Sequence, residues 1–196
     1  MGRSDMKPST LLVTSTETTQ SVLWYGTVGE IELKKVTQFN NDAMYFTTSV
    51  VIKNIGSVPL SDMYYMRTVD PDQEVQFYKT FKTRNYVKYR RDTSEYVNPA
   101  HPDMNLVCAM GNNNHNFFVG LGTIDSRAVV SHFGFQVFNP AQAYTDNTWR
   151  GYGGNDMLPD VEHVSRMRDA DEAIHLVYKF PLMQPGELVS KSKDCI

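Results

Sequence analysis

The chain has 196 residues, a formal net charge of −3 and 41% hydrophobic content, which is enough apolar surface for a core. There is no basic excess of the kind that nucleic-acid binding by counterion release requires. Val, Thr and the aromatics number 59 against 19 Ala and Leu, a balance that suits pleated sheets and excludes a helical bundle.

Residues 1–10, MGRSDMKPST, read as a tag or linker and lack the apolar stretch of a secretory signal. Period-two alternation then marks strands. In Glu30–Val36, Ile31 and Leu33 oppose Glu30, Glu32 and Lys34. In Met44–Asn54, Met44, Phe46, Val50 and Ile52 share one face. Asn54-Ile55-Gly56-Ser57 has turn chemistry, and Ser61–Val69 resumes an extended pattern. The basic-aromatic run Tyr78–Arg91 reads as an edge strand whose Lys and Arg prevent edge-to-edge pairing, or else as a docking face for an acidic partner.

Asp92–Asp103 reads as a long loop. Asn105–Met110 and Phe117–Gly122 flank a Gly/Asn-rich stretch, which predicts a hairpin. Ser131–Phe138 alternates Phe133, Phe135 and Val137 against His132, Gly134 and Gln136. Asn139–Pro159 is a second long loop, and Asp160–Ala170 fits one short helix capped by Asp160. Ala173–Phe180 is a strand with His175 on its polar face, Pro185-Gly186 a turn, and the last strand lies near 188–196. The elements predict an all-β chain, a two-sheet antiparallel β-sandwich with long loops and at most one short helix. It reads as a single domain, 1–196, cut from a larger protein.

No run of about 18 apolar residues occurs, so no membrane insertion is expected. The two cysteines, Cys108 and Cys195, exclude a disulfide framework or zinc cluster and leave open one bridge or two free thiols. No nucleophile elbow, phosphate-binding loop, dinucleotide fingerprint or His-Glu-x-x-His motif occurs, so the chain reads as non-enzymatic. In an extended segment, residues i and i+2 project the same way, so Asp70 and Asp72 could converge on a hard cation such as calcium. The alternative is that they form a turn around Pro71. Tyr144, Trp149, Tyr152, Asn155 and Asp156 make a polar-aromatic loop suited to a glycan or peptide. Trp149 could instead plug the end of the sandwich.

The run Val50-Val51-Ile52-Lys53-Asn54-Ile55-Gly56, the segment Arg67-Thr68-Val69-Asp70-Pro71-Asp72 and the stretch Gly120-Leu121-Gly122-Thr123-Ile124-Asp125-Ser126-Arg127-Ala128 occur in order. Asp171-Glu172-Ala173-Ile174 and Pro185-Gly186-Glu187 follow. Together they resemble a β-sandwich module of large bacterial surface proteins, RTX-type adhesins among them. The resemblance adds Asp125 as a third metal candidate beside Asp70 and Asp72. It also implies that Arg67 or Arg127 pairs with Asp70 or Asp125 as a clamp between loops. It implies a non-catalytic adhesion or ligand-binding module with neighbouring domains, extracellular or on the cell surface. The alternatives are a structural module of an assembly, which would allow a cytoplasmic location, and a glycan-acting hydrolase.

Overall fold

The computed structural model describes residues 7–91, 97–111, 117–133, 139–145 and 167–195. It is all-β, built from antiparallel sheets, with two short helical segments among these residues. The chain divides into two compact units, residues 1–63 with 180–196, and residues 64–179.

The first unit is an antiparallel sheet of β1 (Lys7–Ser15), β2 (Thr19–Val28), β3 (Ile31–Asn40), β4 (Thr47–Asn54) and β12 (Leu188–Cys195), in that spatial order. Gly29, at φ +54°, supplies the left-handed residue that a two-residue link between β2 and β3 needs. Val13, Val22, Thr37 and Thr48 lie opposite one another across the strands, as do Leu33 and Ile52. That face is fully buried at Val50 and Thr48 but exposed at Leu11 and Val13. Asn54 ties the far end together. Its Nδ2 donates to the Val58 and Met183 carbonyls at 2.8 and 3.1 Å, and its Oδ1 accepts from the Gly56 N–H at 2.9 Å.

The second unit holds β5 (Tyr64–Val69), α1 (Val75–Tyr78), β6 (Thr83–Tyr89), β7 (Asn105–Gly111), β8 (Phe118–Thr123), β9 (Ala128–Phe133), α2 (Pro140–Thr145), β10 (Met167–Ala170) and β11 (Ala173–Lys179). One sheet runs β8-β7-β6-β10 and the other β5-β11-β9. They stack with β9 against β6 and β7, and β11 against β7 and β8. The core is Val87, Val107, Leu121, Val130, Ile174 and Leu176, all fully buried. On the outer side of the three-stranded sheet, Ala143 of α2 packs with Val129 and Val177.

The 105–122 hairpin forms as the sequence predicts, Met110 facing Phe118. Several local expectations are corrected. Residues 7–10 belong to strand β1. The basic run is no edge, because β6 is paired on both sides, with β7 and with β10. Pro140–Thr145, read as loop, is helical. Of the short helix expected at Asp160–Ala170, residues 160–166 lie outside the described residues, and Met167–Ala170 form a strand. No helix among the described residues is long and apolar enough to cross a membrane.

Candidate functional site

β5 ends at Val69, which pairs with Ile174 near the start of β11. That register brings the segment leaving β5 beside the turn that enters β11. The carboxylates of Asp70, Asp72 and Asp171 consequently gather, with one oxygen of each within 4.8 Å of the others. Burial pushes the Asp70 carboxyl above the usual range, and the charges of Asp72 and Asp171 and a hydrogen bond with Asp72 push it further. Asp171 is raised too, first by burial and then by Asp72 and Glu172. Like charges at this distance disfavour full ionisation.

Directly behind this corner, Glu172 turns into the sandwich. Its Oε2 lies 2.8 Å from His132 Nδ1, and both side chains are almost completely buried. His132 Nε2 has no hydrogen-bond partner among the described residues, and neither has Arg67 Nη1. On the opposite face of the same sheet His175 Nδ1 sits 3.0 Å from Thr68 Oγ1. The sequence places both histidines on polar strand faces, either solvated or paired across strands; neither is solvated, at 0% exposure for His132 and 1% for His175, and His175 is paired across strands with Thr68. β9 and β11 are covered on both faces, so alternation on them carries no inside-outside information.

Asp125 does not join Asp70 and Asp72. Its carboxylate accepts Arg127 Nε at 2.9 Å and Nη2 at 2.6 Å, and it also takes the Arg127 backbone N–H at 3.0 Å. This fork lies within one turn, so it braces the β8–β9 connection and does not bridge two loops. The Asp125 carboxylate raises the Arg127 pKa further. Arg67 makes no ion pair to Asp70, Asp72 or Asp125 among the described residues.

Of the expected aromatic loop, Tyr144 stands on α2, half-buried and edge-on to Tyr64 at 5.8 Å. Trp149, Tyr152, Asn155 and Asp156 lie outside the described residues. The basic run is largely spent on internal bonds. Arg84 forks onto Asp169 at 2.9 and 3.1 Å. The fully buried Arg90 donates to the Val130 carbonyl at 3.3 Å, and Arg91 to that of Ala128 at 3.2 Å.

Sequence reasoning misses Asp171 as a partner of Asp70 because some hundred residues separate them and only strand register joins them. The one available signal is the acidic pair Asp171-Glu172 heading an apolar strand. As a donor set for calcium, Asp70, Asp72 and Asp171 fit a hard cation, offering three carboxylates from two segments. Asp125, already spent on Arg127, does not fit. No protein-family model matches the chain, and no curated protein is significantly similar to it.

Proposed function

We propose that the chain is a non-catalytic binding module of a larger surface or secreted protein, and that its acidic corner takes a divalent cation, calcium being the best-suited. The observation that carries this reading is the gathering of Asp70, Asp72 and Asp171, with Asp70 and Asp171 both held above the usual carboxyl range. A hard cation would relieve that repulsion and draw the segment after β5 to the β10–β11 turn. Neutral oxygens would complete its shell. The module would then present a fixed surface to a peptide or glycan ligand.

Thermal melting in millimolar calcium and in EDTA tests it. An ion that binds only the native state stabilises it by RT ln(1 + [L]/Kd), about 2.7 kcal/mol at a hundredfold excess over Kd. The melting point should rise by several degrees with calcium in the wild type and not in Asp171→Asn. Superimposed wild-type curves would reject the cation.

A further inference from the structure

Two lysines of the basic run, Lys79 and Lys82, are both exposed, and neither makes an ion pair among the described residues. They stand in the link from α1 to β6, among aromatic side chains left in water. Phe77 is 61% and Phe81 51% exposed, and α1 buries none of its own residues. Lys79 takes a left-handed φ of 54° and ends the helix, so the chain turns sharply there. Strand register carries this link to the β7–β8 hairpin. Thr83, the first residue of β6, faces Gly111, the last of β7, whose N–H donates to the Phe117 carbonyl at 2.8 Å. Phe77 accordingly stacks on Phe117, with ring centroids 5.8 Å apart and planes 25° from parallel. Phe118 follows, 59% exposed.

Exposed aromatic clusters mark interaction surfaces, and charge narrows the kind of partner. Residues 75–91 hold six Lys and Arg and no Asp or Glu, and residues 105–124 hold none of the four. A protein interface matches charges of both signs across its rim and seats its apolar residues in a shaped counterpart. This end offers cations of one sign and rings carried on two turns. That combination suits a surface that is uniformly anionic outside and apolar beneath. Phenylalanine settles at the boundary of headgroups and acyl chains, and lysine reaches the headgroups along its methylene stem.

We infer that this end of the second unit docks on an anionic lipid bilayer, Phe77, Phe81 and Phe117 entering the interface and Lys79 and Lys82 meeting acidic headgroups. The chain lies on the membrane without spanning it. The acidic corner belongs to the same end. Val75 N–H, opening α1, donates to the Asp72 carbonyl at 3.2 Å, and Ala170, just before Asp171, pairs with Thr83. Three carboxylates there repel acidic headgroups, and a divalent cation among them removes most of that repulsion. Docking of the wild type therefore rests on the cation reading, whereas the aromatic and basic surface does not.

Vesicle co-sedimentation of the full chain tests it, with equimolar phosphatidylcholine and phosphatidylserine against phosphatidylcholine alone. In millimolar calcium the wild type should sediment with the anionic vesicles and not with the neutral ones. Asp70→Asn/Asp72→Asn/Asp171→Asn should do so in EDTA, because its corner carries no charge to offset. Binding by this triple variant alone would uphold the docking and reject the cation. Within the triple variant, Lys82→Gln should weaken binding ~5-fold, the worth of one lysine at an anionic surface. Phe77→Ser with Phe81→Ser should weaken it at least ~10-fold, with circular dichroism confirming the fold. In a Cys108→Ala, Cys195→Ser background, a polarity-sensitive fluorophore on Phe81→Cys should shift to the blue on docking. One on Leu11→Cys, in the first unit, should not. If neither the wild type in calcium nor the triple variant in EDTA binds anionic vesicles, the inference falls, whatever calcium does at the corner. Binding indifferent to Lys82 and the two phenylalanines would overturn it equally, as would self-association through Phe77 and Phe81 in place of vesicle binding.

Discussion

The Arg127–Asp125 fork makes an asymmetric prediction. The Asp125 side chain is 6% exposed and that of Arg127 31%. Breaking a buried ion pair costs 3–5 kcal/mol, because a charge is stranded without water, whereas an exposed pair is worth about 1 kcal/mol at most. Arg127→Met strands the buried carboxylate and should cost ~3 kcal/mol. Asp125→Asn leaves a guanidinium that can reach solvent, and the Asn oxygen can still accept the Arg127 backbone N–H, so the cost should be ~1 kcal/mol. Urea denaturation at neutral pH measures both. Each kcal/mol should also lower the melting point by roughly 2–4 °C in a chain of this length. Equal losses, or a larger loss for Asp125→Asn, would refute the argument that burial of the carboxylate sets the magnitude.

The acidic corner should give the opposite sign. Because the Asp70 and Asp171 carboxyls are raised in the fold, the native state holds more protons than the unfolded chain across the window from the ordinary carboxyl range up to the raised values. Stability from these groups falls as pH rises through that window. In EDTA at neutral pH, Asp70→Asn should therefore stabilise by ~0.5 kcal/mol, a figure reduced for solvent screening, and should flatten the acid limb of a melting-point profile. Gly111→Ala should destabilise by ~2 kcal/mol, since a Cβ there would stand 2.1 Å from Oε1 of the buried Glu74. Cys108 is 1% exposed, and burial pushes its thiol up to about 11. In a Cys195→Ser background it should ignore a thiol reagent at pH 8 until urea unfolds the chain.

The sequence was legible where one face of a strand meets water and the other the core. β4 alternates cleanly from Thr47, with Thr48, Val50, Ile52 and Asn54 buried, although Met44 ahead of it is fully exposed; the β7–β8 hairpin was legible from its Gly/Asn-rich link, and Asn54-x-Gly56 makes the turn its chemistry demands. It was opaque where both faces are covered. His132 and His175 alternate with apolar neighbours as solvated or cross-strand-paired residues would; both lie inside because β9 and β11 are packed on both sides, His175 pairing across strands with Thr68. Arg90 shows the same limit: a basic run reads as surface, while a fully buried guanidinium bonded to the Val130 carbonyl is invisible until the second sheet is in place. At the site, Asp70 and Asp72 were legible from their i, i+2 spacing. Asp171 was not, because it arrives through the pairing of β5 with β11, a long-range register that local spacing cannot encode.

The central claim is that the corner formed by Asp70, Asp72 and Asp171 binds a divalent cation. Isothermal titration of calcium into the chelator-treated full chain tests it most directly. The account predicts a single saturable site per chain in the wild type, weakened at least tenfold in Asp70→Asn and Asp171→Asn. Asp125→Asn, outside the corner, should leave the affinity unchanged. No saturable heat in the wild type, or loss of binding on changing Asp125 but not Asp171, would contradict it.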